Sequence, residues 1–292
     1  TARAAREGTL ADMNGRHRVL YAGSRLHTPV LERLAPARAA GFTAISIWPS
    51  DVRGLDLQDV REHVAAAGLT VTEVELIGNW LPEHAAAPDD RWRAVKWQTA
   101  ARVLPIAEAL GARCVSVAEL FDLPFDGSAF ARHFRELCRA AADHGLTAAL
   151  EFVPTGGVRS LAEAWEVVER ADCANGGLMV DSWHFHRSGS SLDQLARIPG
   201  DRILSGRLSD APAAPAADLA AEMTSRLLPG NGAVDWPAFM QALAATDTRC
   251  PIGVEAFNAD LDAQTTDFAM QACADALDAC LALTDLTMEP SR

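Results

Sequence analysis

The sequence predicts a single (β/α)8 barrel, and three observations carry that expectation. The chain has 292 residues, 49% of them hydrophobic, which is enough for one large core; a barrel domain needs roughly 250 residues. Short apolar runs rich in Val, Ile and Leu alternate with amphipathic helical stretches, eight times over. Such runs are the pattern of parallel strands buried on both faces. Several helical stretches also stop at a glycine just before the next apolar run, at Gly41, Gly68, Gly111 and Gly145. That is where a left-handed residue ends a helix. An open doubly wound sheet is the competing arrangement, but it usually carries a glycine-rich phosphate loop after its first strand. Here Ala22-Gly-Ser-Arg-Leu-His27 follows, and it does not fit.

The elements are expected as follows. Residues 19–22 form strand one and 28–40 its helix; 43–48 pairs with 57–67, 70–76 with a long helix 90–110, and 114–118 with 129–144. Strand five is 147–152, followed by helix 160–171, whose start Ser160-Leu-Ala-Glu163 reads as a capping box. The last three units are strand 178–180 with a helix near 192–197, strand 203–208 with a long loop and helix 236–245, and strand 252–255 with helix 263–283. Residues 1–15 are expected to be a flexible N-terminal arm, with Met13 a candidate start, and 16–292 the catalytic barrel.

Composition excludes several classes of function. A formal charge of −13 repels phosphate backbones, so no nucleic-acid partner is expected. No apolar run approaches the ~20 residues of a membrane span, and the first residues show no apolar signal region. The six cysteines lack a C-x2-C pair and read as buried, reduced thiols. The expectation is a cytoplasmic protein with a small-molecule substrate, in some arrangements a homodimer.

In a parallel barrel the working residues lie at the C-terminal strand ends. Strand two ends in Trp48-Pro-Ser-Asp51, strand three near Glu75 with Trp80 in the loop, and strand four at Glu119. Strand five ends at Glu151, strand six in Asp181-Ser-Trp-His184, strand seven in Arg207-Leu-Ser-Asp210, and strand eight in Glu255-Ala-Phe257. An acid directly after an apolar strand is costly if buried without a partner. Three of them, Glu151, Asp181 and Glu255, converge on one mouth. Close carboxylates need a cation between them, or they raise one another's pKa. A divalent metal held by oxygen ligands polarises a carbonyl, and a carboxyl with a raised pKa is an acid or base near neutral pH. The plain alternative is that some of these acids are helix caps or solvated loop residues. Trp48, Trp80, Phe257 and Glu119 are candidate substrate contacts.

These strand ends resemble the xylose-isomerase-like barrels, the sugar-phosphate isomerase/epimerase group. The resemblance rests on Glu151-Phe-Val-Pro, Asp181-Ser-Trp-His184, Arg207-Leu-Ser-Asp210, Leu228-Pro-Gly-Asn-Gly-Ala-Val-Asp-Trp236 and Gly253-Val-Glu255, in the group's order along the second half of the chain. It implies that Glu151 and Glu255 bind a divalent metal (Mn, Mg, Co or Zn) and shuttle protons on opposite faces of the substrate. It also implies that Asp181 is a further metal ligand, that His184 contacts a substrate oxygen, and that Arg226 holds substrate hydroxyls or phosphate.

One position departs from the pattern. The group's fourth metal ligand, usually His, stands here as Arg207, and a guanidinium neither ligates a metal nor loses its charge. Three readings are open. Arg207 replaces the metal and itself polarises the carbonyl or enolate; or metal binds through Glu151, Asp181, Glu255 and His184 or water with Arg207 turned aside; or the site is a degenerate binder. A strand-end salt bridge from Arg207 to Asp181 or Asp210 is compatible with all three. The resemblance implies isomerisation or epimerisation of a small polyhydroxylated ketone or keto-sugar through an enediolate, within carbohydrate metabolism. A lyase of the 3-dehydroshikimate dehydratase type is the alternative on the same site, and a non-catalytic metabolite-binding barrel the alternative of another class.

Overall fold

Successive side chains of a strand point to opposite faces, and this period of two decides what fills the barrel. A computed structural model describes residues 16–86 and 93–286. Its strands are β1 (Arg18–Leu20), β2 (Ala44–Ile47), β3 (Thr70–Ile77), β4 (Cys114–Ala118), β5 (Thr147–Glu151), β6 (Gly176–Asp181), β7 (Ile203–Leu208) and β8 (Ile252–Val254). They lie in sequential order in one closed barrel. The closing pair β1 and β8 is parallel, with Val19 beside Gly253. A Cβ on Gly253 would sit 1.7 Å from the Val19 carbonyl oxygen, so only glycine lets these two strands meet.

On one face of the strands, Leu20, Ile45, Val74, Leu150 and Val180 pack into the large apolar cluster shared with the helices. The other face fills the barrel. There Val19, Tyr21 and Ala44 form one small cluster, and Cys114, Ala149 and Met179 another. Two residues beyond Ala149 is Glu151, and two beyond Met179 is Asp181. The inward face therefore starts apolar and ends in acids, and the strand period itself aims those acids at the mouth.

The principal helices are α1 (Val30–Ala39), α2 (Leu57–Ala66), α3 (Ala100–Ala109), α4 (Gly127–Asp143), α5 (Leu161–Ala171), α6 (Ser182–Ser188), α7 (Trp236–Ala245) and α8 (Thr266–Leu286). Gly41, Gly68, Gly111 and Gly145, the expected helix stops, all take positive φ. Ser160 caps α5 by accepting from the Glu163 N–H, but the Glu163 carboxylate returns to the Arg159 N–H rather than to Ser160. Two helices differ from expectation. The long helix of unit three is a short turn (Arg93–Lys96) followed by α3, and its expected start at 90–92 lies outside the described residues, as does the arm 1–15. In unit six the main helix comes directly after β6, as α6, because Asp181 caps it through the His184 N–H at 2.9 Å. The expected helix near 192–197 is a single turn, Leu192–Leu195. All six cysteines are free thiols. Among the described residues no helix is long and apolar enough to cross a membrane.

Candidate active site

Arg207 leaves β7 on the inward face, and its guanidinium lies among four glutamates. Nη2 is 2.6 Å from Glu73 and 3.0 Å from Glu75, both on β3; Nη1 is 3.2 Å from Glu255 and 3.6 Å from Glu151. The side chain is held from below as well. The Ser205 hydroxyl donates to Glu73 at 2.7 Å, so the Tyr21 hydroxyl, 2.6 Å away, donates to Ser205. Arg207 stands 4.9 Å from the centre of the Tyr21 ring, in cation–π range. The salt bridge expected from Arg207 to Asp181 or Asp210 is not made. Asp181 is taken by Arg226, and Asp210 accepts from Gly230, Val234 and Trp236 to fold the turn before α7.

Arg226 is the second buried cation. Nη1 reaches Asp181 at 2.7 Å and Glu255 at 3.6 Å, and Nη2 lies 3.3 Å from the His184 Nε2. Its guanidinium stacks between Trp183 and Phe257, 5.2 and 5.0 Å from their centroids. The loop that delivers it is anchored by Glu222, which accepts from the Trp183 indole, from Arg187 and from the Ala216 N–H.

Five buried carboxyl groups thus face two guanidiniums, and burial is the largest influence on their titration. Burial pushes Glu151 up to about 7, with Arg207 opposing the shift. Burial also raises Glu255 well above the usual carboxylate range, against Arg207, and raises Glu73. Asp181 goes the other way: burial raises it, but Arg226 and the cap hydrogen bond from the His184 N–H hold it down. Burial drives His184 down to about 3, so its ring is neutral, and Nε2, facing the Arg226 donor, carries the lone pair.

Glu151, Asp181 and His184 place one ligand atom each within 4.8 Å of one another. Two carboxylates and a neutral imidazole are a donor set that suits a divalent cation, and the lone-pair nitrogen of His184, Nε2, lies 3.5 Å from a Glu151 carboxylate oxygen. These three residues could hold the ion. Glu255 is not part of the cluster, since both its oxygens are turned to Arg207.

The site opens into a cavity of about 500 Å3 lined by Glu75, Glu151, His184, Arg207, Arg226 and Glu255, with Trp48 and Phe257 on its wall. Trp48 donates its indole N–H to Glu75 at 3.0 Å. Two expected substrate contacts lie elsewhere. Trp80 donates to the Ala118 carbonyl and packs on Phe130 and Phe134. Glu119 is fully occupied by the N–H groups of Phe121, Leu123 and Gly157 and by His84, tying three loops together behind the cavity. Glu73 and Glu75 were missed as site residues, although their spacing was a signal: two acids, two apart on one apolar strand, share one face.

A closed parallel barrel with acids and arginines gathered at the C-terminal strand ends is the frame of a small-molecule enzyme site. A family model described as the xylose isomerase-like TIM barrel matches residues 34–280, and the chain belongs to that family. It is 29% identical over 232 residues to a 3-dehydroshikimate dehydratase of Pseudomonas aeruginosa, covering 78% of this chain and 36% of that one. It is 33% identical over 138 residues to an inosose isomerase of Bacillus subtilis, covering 47% of this chain and 49% of that one. The chain therefore spans half or less of the length of these relatives. Among solved structures, the IolI protein with a bound zinc atom superimposes with a TM-score of 0.80 at 21% identity, over 91% of this chain and 98% of that one.

Proposed function

We propose that the chain is an isomerase or epimerase that moves a proton at the carbon next to the carbonyl of a small polyhydroxylated ketone or keto-sugar. One observation carries this reading. Glu151 and Glu255, from strands on different sides of the barrel, line the same cavity and share one guanidinium nitrogen, at 3.6 and 3.2 Å. Glu151, with its carboxyl near 7, is poised to take a proton at neutral pH. Glu255, whose carboxyl burial raises well above the usual carboxylate range against the pull of Arg207, is the group placed to return one. The two carboxyls thus sit in environments that separate acid from base.

Glu151 removes the proton next to the carbonyl, and the electron pair moves to the carbonyl oxygen, forming an enediolate. Arg207 and Arg226 offer fixed positive charge to that oxygen without reorganisation. Glu255 then returns a proton to carbon: on the opposite face of the same carbon the result is epimerisation, and at the neighbouring carbon, with the enediolate's hydroxyl proton passing to its other oxygen, it is isomerisation. A divalent ion held by Glu151, Asp181 and His184 would, when bound, polarise the same oxygen. Arg207, in the place of a fourth ligand, supplies charge of its own. The length of the match to the dehydratase, 78% of this chain, supports a second outcome on the same intermediate, loss of a β-hydroxyl as water.

Incubation of candidate ketones in D2O tests the reading. Deuterium is expected at the carbon next to the carbonyl, with product mass otherwise conserved for isomerisation and reduced by one water for elimination. No exchange with any hydroxylated ketone would refute the proton-transfer reading. Ligand binding that persists in Glu151→Gln and Glu255→Gln without any turnover in the parent would instead mark a metabolite-binding barrel.

A further inference from the structure

None of the six thiols takes part in the site at the barrel mouth, and five of them are buried. Cys173 is the half-buried one. It lies in the turn between α5 and β6, at the end of the barrel where the strands begin. Cys138, on α4, is fully buried, and the two side chains meet over Gly176, the first residue of β6. A Cβ on Gly176 would stand 2.9 Å from the Cys138 sulfur and 3.4 Å from the Cys173 Cβ. The first distance is closer than a real Cβ comes, so glycine leaves open the space that the two cysteines share.

The main chain on both sides of Cys173 is tied down. Arg135, one turn before Cys138 on α4, donates from Nε to the Ala171 carbonyl at 2.8 Å and from Nη2 to the Arg170 carbonyl at 2.6 Å. Asn175 donates from Nδ2 to the carbonyl of Cys138 itself at 2.7 Å and to that of Leu146 at 3.0 Å. Arg202 donates from Nη1 to the carbonyls of Cys173 and Gly176, at 2.6 and 3.1 Å. Two cysteines can be bridged only where their backbones already stand close and in a fixed relation, and these bonds fix it. Burial, then the adjoining Cys173 thiol, push the Cys138 thiol up. Cys138 is therefore a protonated thiol in a dry place, and Cys173 is the sulfur that a dissolved oxidant reaches first.

We propose that Cys138 and Cys173 are a site of reversible oxidation, closing a disulfide that staples α4 to the turn before β6. A peroxide converts the Cys173 thiol to the sulfenic acid and releases one water. The Cys138 sulfur then attacks the Cys173 sulfur. The S–S bond forms, the S–O bond breaks, and the hydroxyl leaves as a second water with the Cys138 proton. Two thiols have lost two electrons and two protons, and one peroxide has become two waters. A dithiol reductant reverses the step by exchange. The bridge closes a loop that contains β5 and α5, which restricts the unfolded chain. It lies at the end of the barrel away from Glu151 and Arg207, where a change acts on stability rather than on chemistry.

The test uses the full chain, reduced, freed of reductant and treated with hydrogen peroxide. Thiol counting in denaturant should show two of the six thiols lost together, with peptide mapping placing the bridge between Cys138 and Cys173 and dithiothreitol restoring both. Thermal unfolding should shift up by about 5 °C in the oxidised protein. In Cys138→Ser the oxidation should stop at Cys173, trapped as a dimedone adduct. In Cys173→Ser, whose side chain is half-buried and whose fold is not at risk from a lost core contact, neither the thiol loss nor the shift should occur. No thiol loss in the folded parent, a bridge between any other pair, thiol loss that persists in Cys173→Ser, or a dimedone adduct on the parent without a bridge would each overturn the proposal.

Discussion

Arg207→Met removes the one charge that four glutamates share, at nearly constant side-chain length. In the parent the guanidinium lies 2.6 to 3.6 Å from Glu73, Glu75, Glu255 and Glu151. All of these groups are buried, so a carboxylate left without its counter-charge cannot be rescued by water and takes up a proton instead. Protonating one glutamate of ordinary value 4.5 at pH 7 costs about 3.4 kcal/mol, at 1.36 kcal/mol per pH unit. The same step at pH 5 costs about 0.7 kcal/mol. The sign follows from linkage: the variant holds a carboxyl whose folded pKa is raised above its unfolded one. Its penalty is therefore absent below the unfolded value and grows as pH rises towards the folded value. The expected loss is about 3 kcal/mol at neutral pH, within the range for breaking a buried pair, and below about 1 kcal/mol at pH 5. Urea unfolding at both pH values, followed by tryptophan fluorescence and circular dichroism with coincident transitions, measures it. A loss that is the same at both pH values would refute the charge-sharing account, as would a loss under about 1 kcal/mol at pH 7.

Other consequences can be checked in the same preparations. Arg207→His removes the repulsive charge and adds a donor beside Glu151, Asp181 and His184, so affinity for Zn or Mn should rise about tenfold or more, read by metal content after dialysis; unchanged affinity would mean that the guanidinium does not oppose the ion. Glu222 accepts three hydrogen bonds, and these, led by the Ala216 N–H and Arg187, hold its carboxyl below the ordinary value of 4.5 despite its burial. Its contribution is therefore complete above that value and lost as pH falls through the lower folded pKa. Glu222→Gln should cost about 1–3 kcal/mol at pH 7, and the gap to the parent should close in acid, as measured by thermal unfolding across pH 3 to 7. Glu119→Ala strands the N–H groups of Phe121, Leu123 and Gly157 and the His84 ring. It should lower stability by about 3–5 kcal/mol and speed amide exchange in those loops, whereas a mere surface acid would leave both unchanged.

The strand ends were legible because a barrel turns two short-range rules into one long-range result. Apolar runs mark the strands, and a residue at the end of each must reach the common mouth; Glu151, Asp181 and Glu255 were expected there from position alone, and Arg207 from the family resemblance. Partner choice was not legible. Asp181 and Arg207 are neighbours in the β6–β7 register, and adjacency suggested a salt bridge. The strand tilt of a barrel instead carries the Arg207 side chain across the interior to β3, on the far side from β7. Nothing in local spacing ranks a cross-barrel glutamate above a neighbouring aspartate. Trp80 and Glu119 failed for a related reason. Trp80 lies three residues beyond Ile77, the end of β3, and Glu119 one beyond Ala118, the end of β4. Glu119 turns outward to collect backbone donors, while Glu75, still inside β3, points in. The distinction is one of parity along the strand. It applies equally to Glu73-Val-Glu75 and Ser205-Gly-Arg207, where residues two apart hold one guanidinium from below and from the side. A charged pair at that spacing within an apolar run cannot be a solvated loop, because the run is buried on both faces. It must meet opposite charge inside the barrel, and Arg207 is the cation that the β7 end supplies.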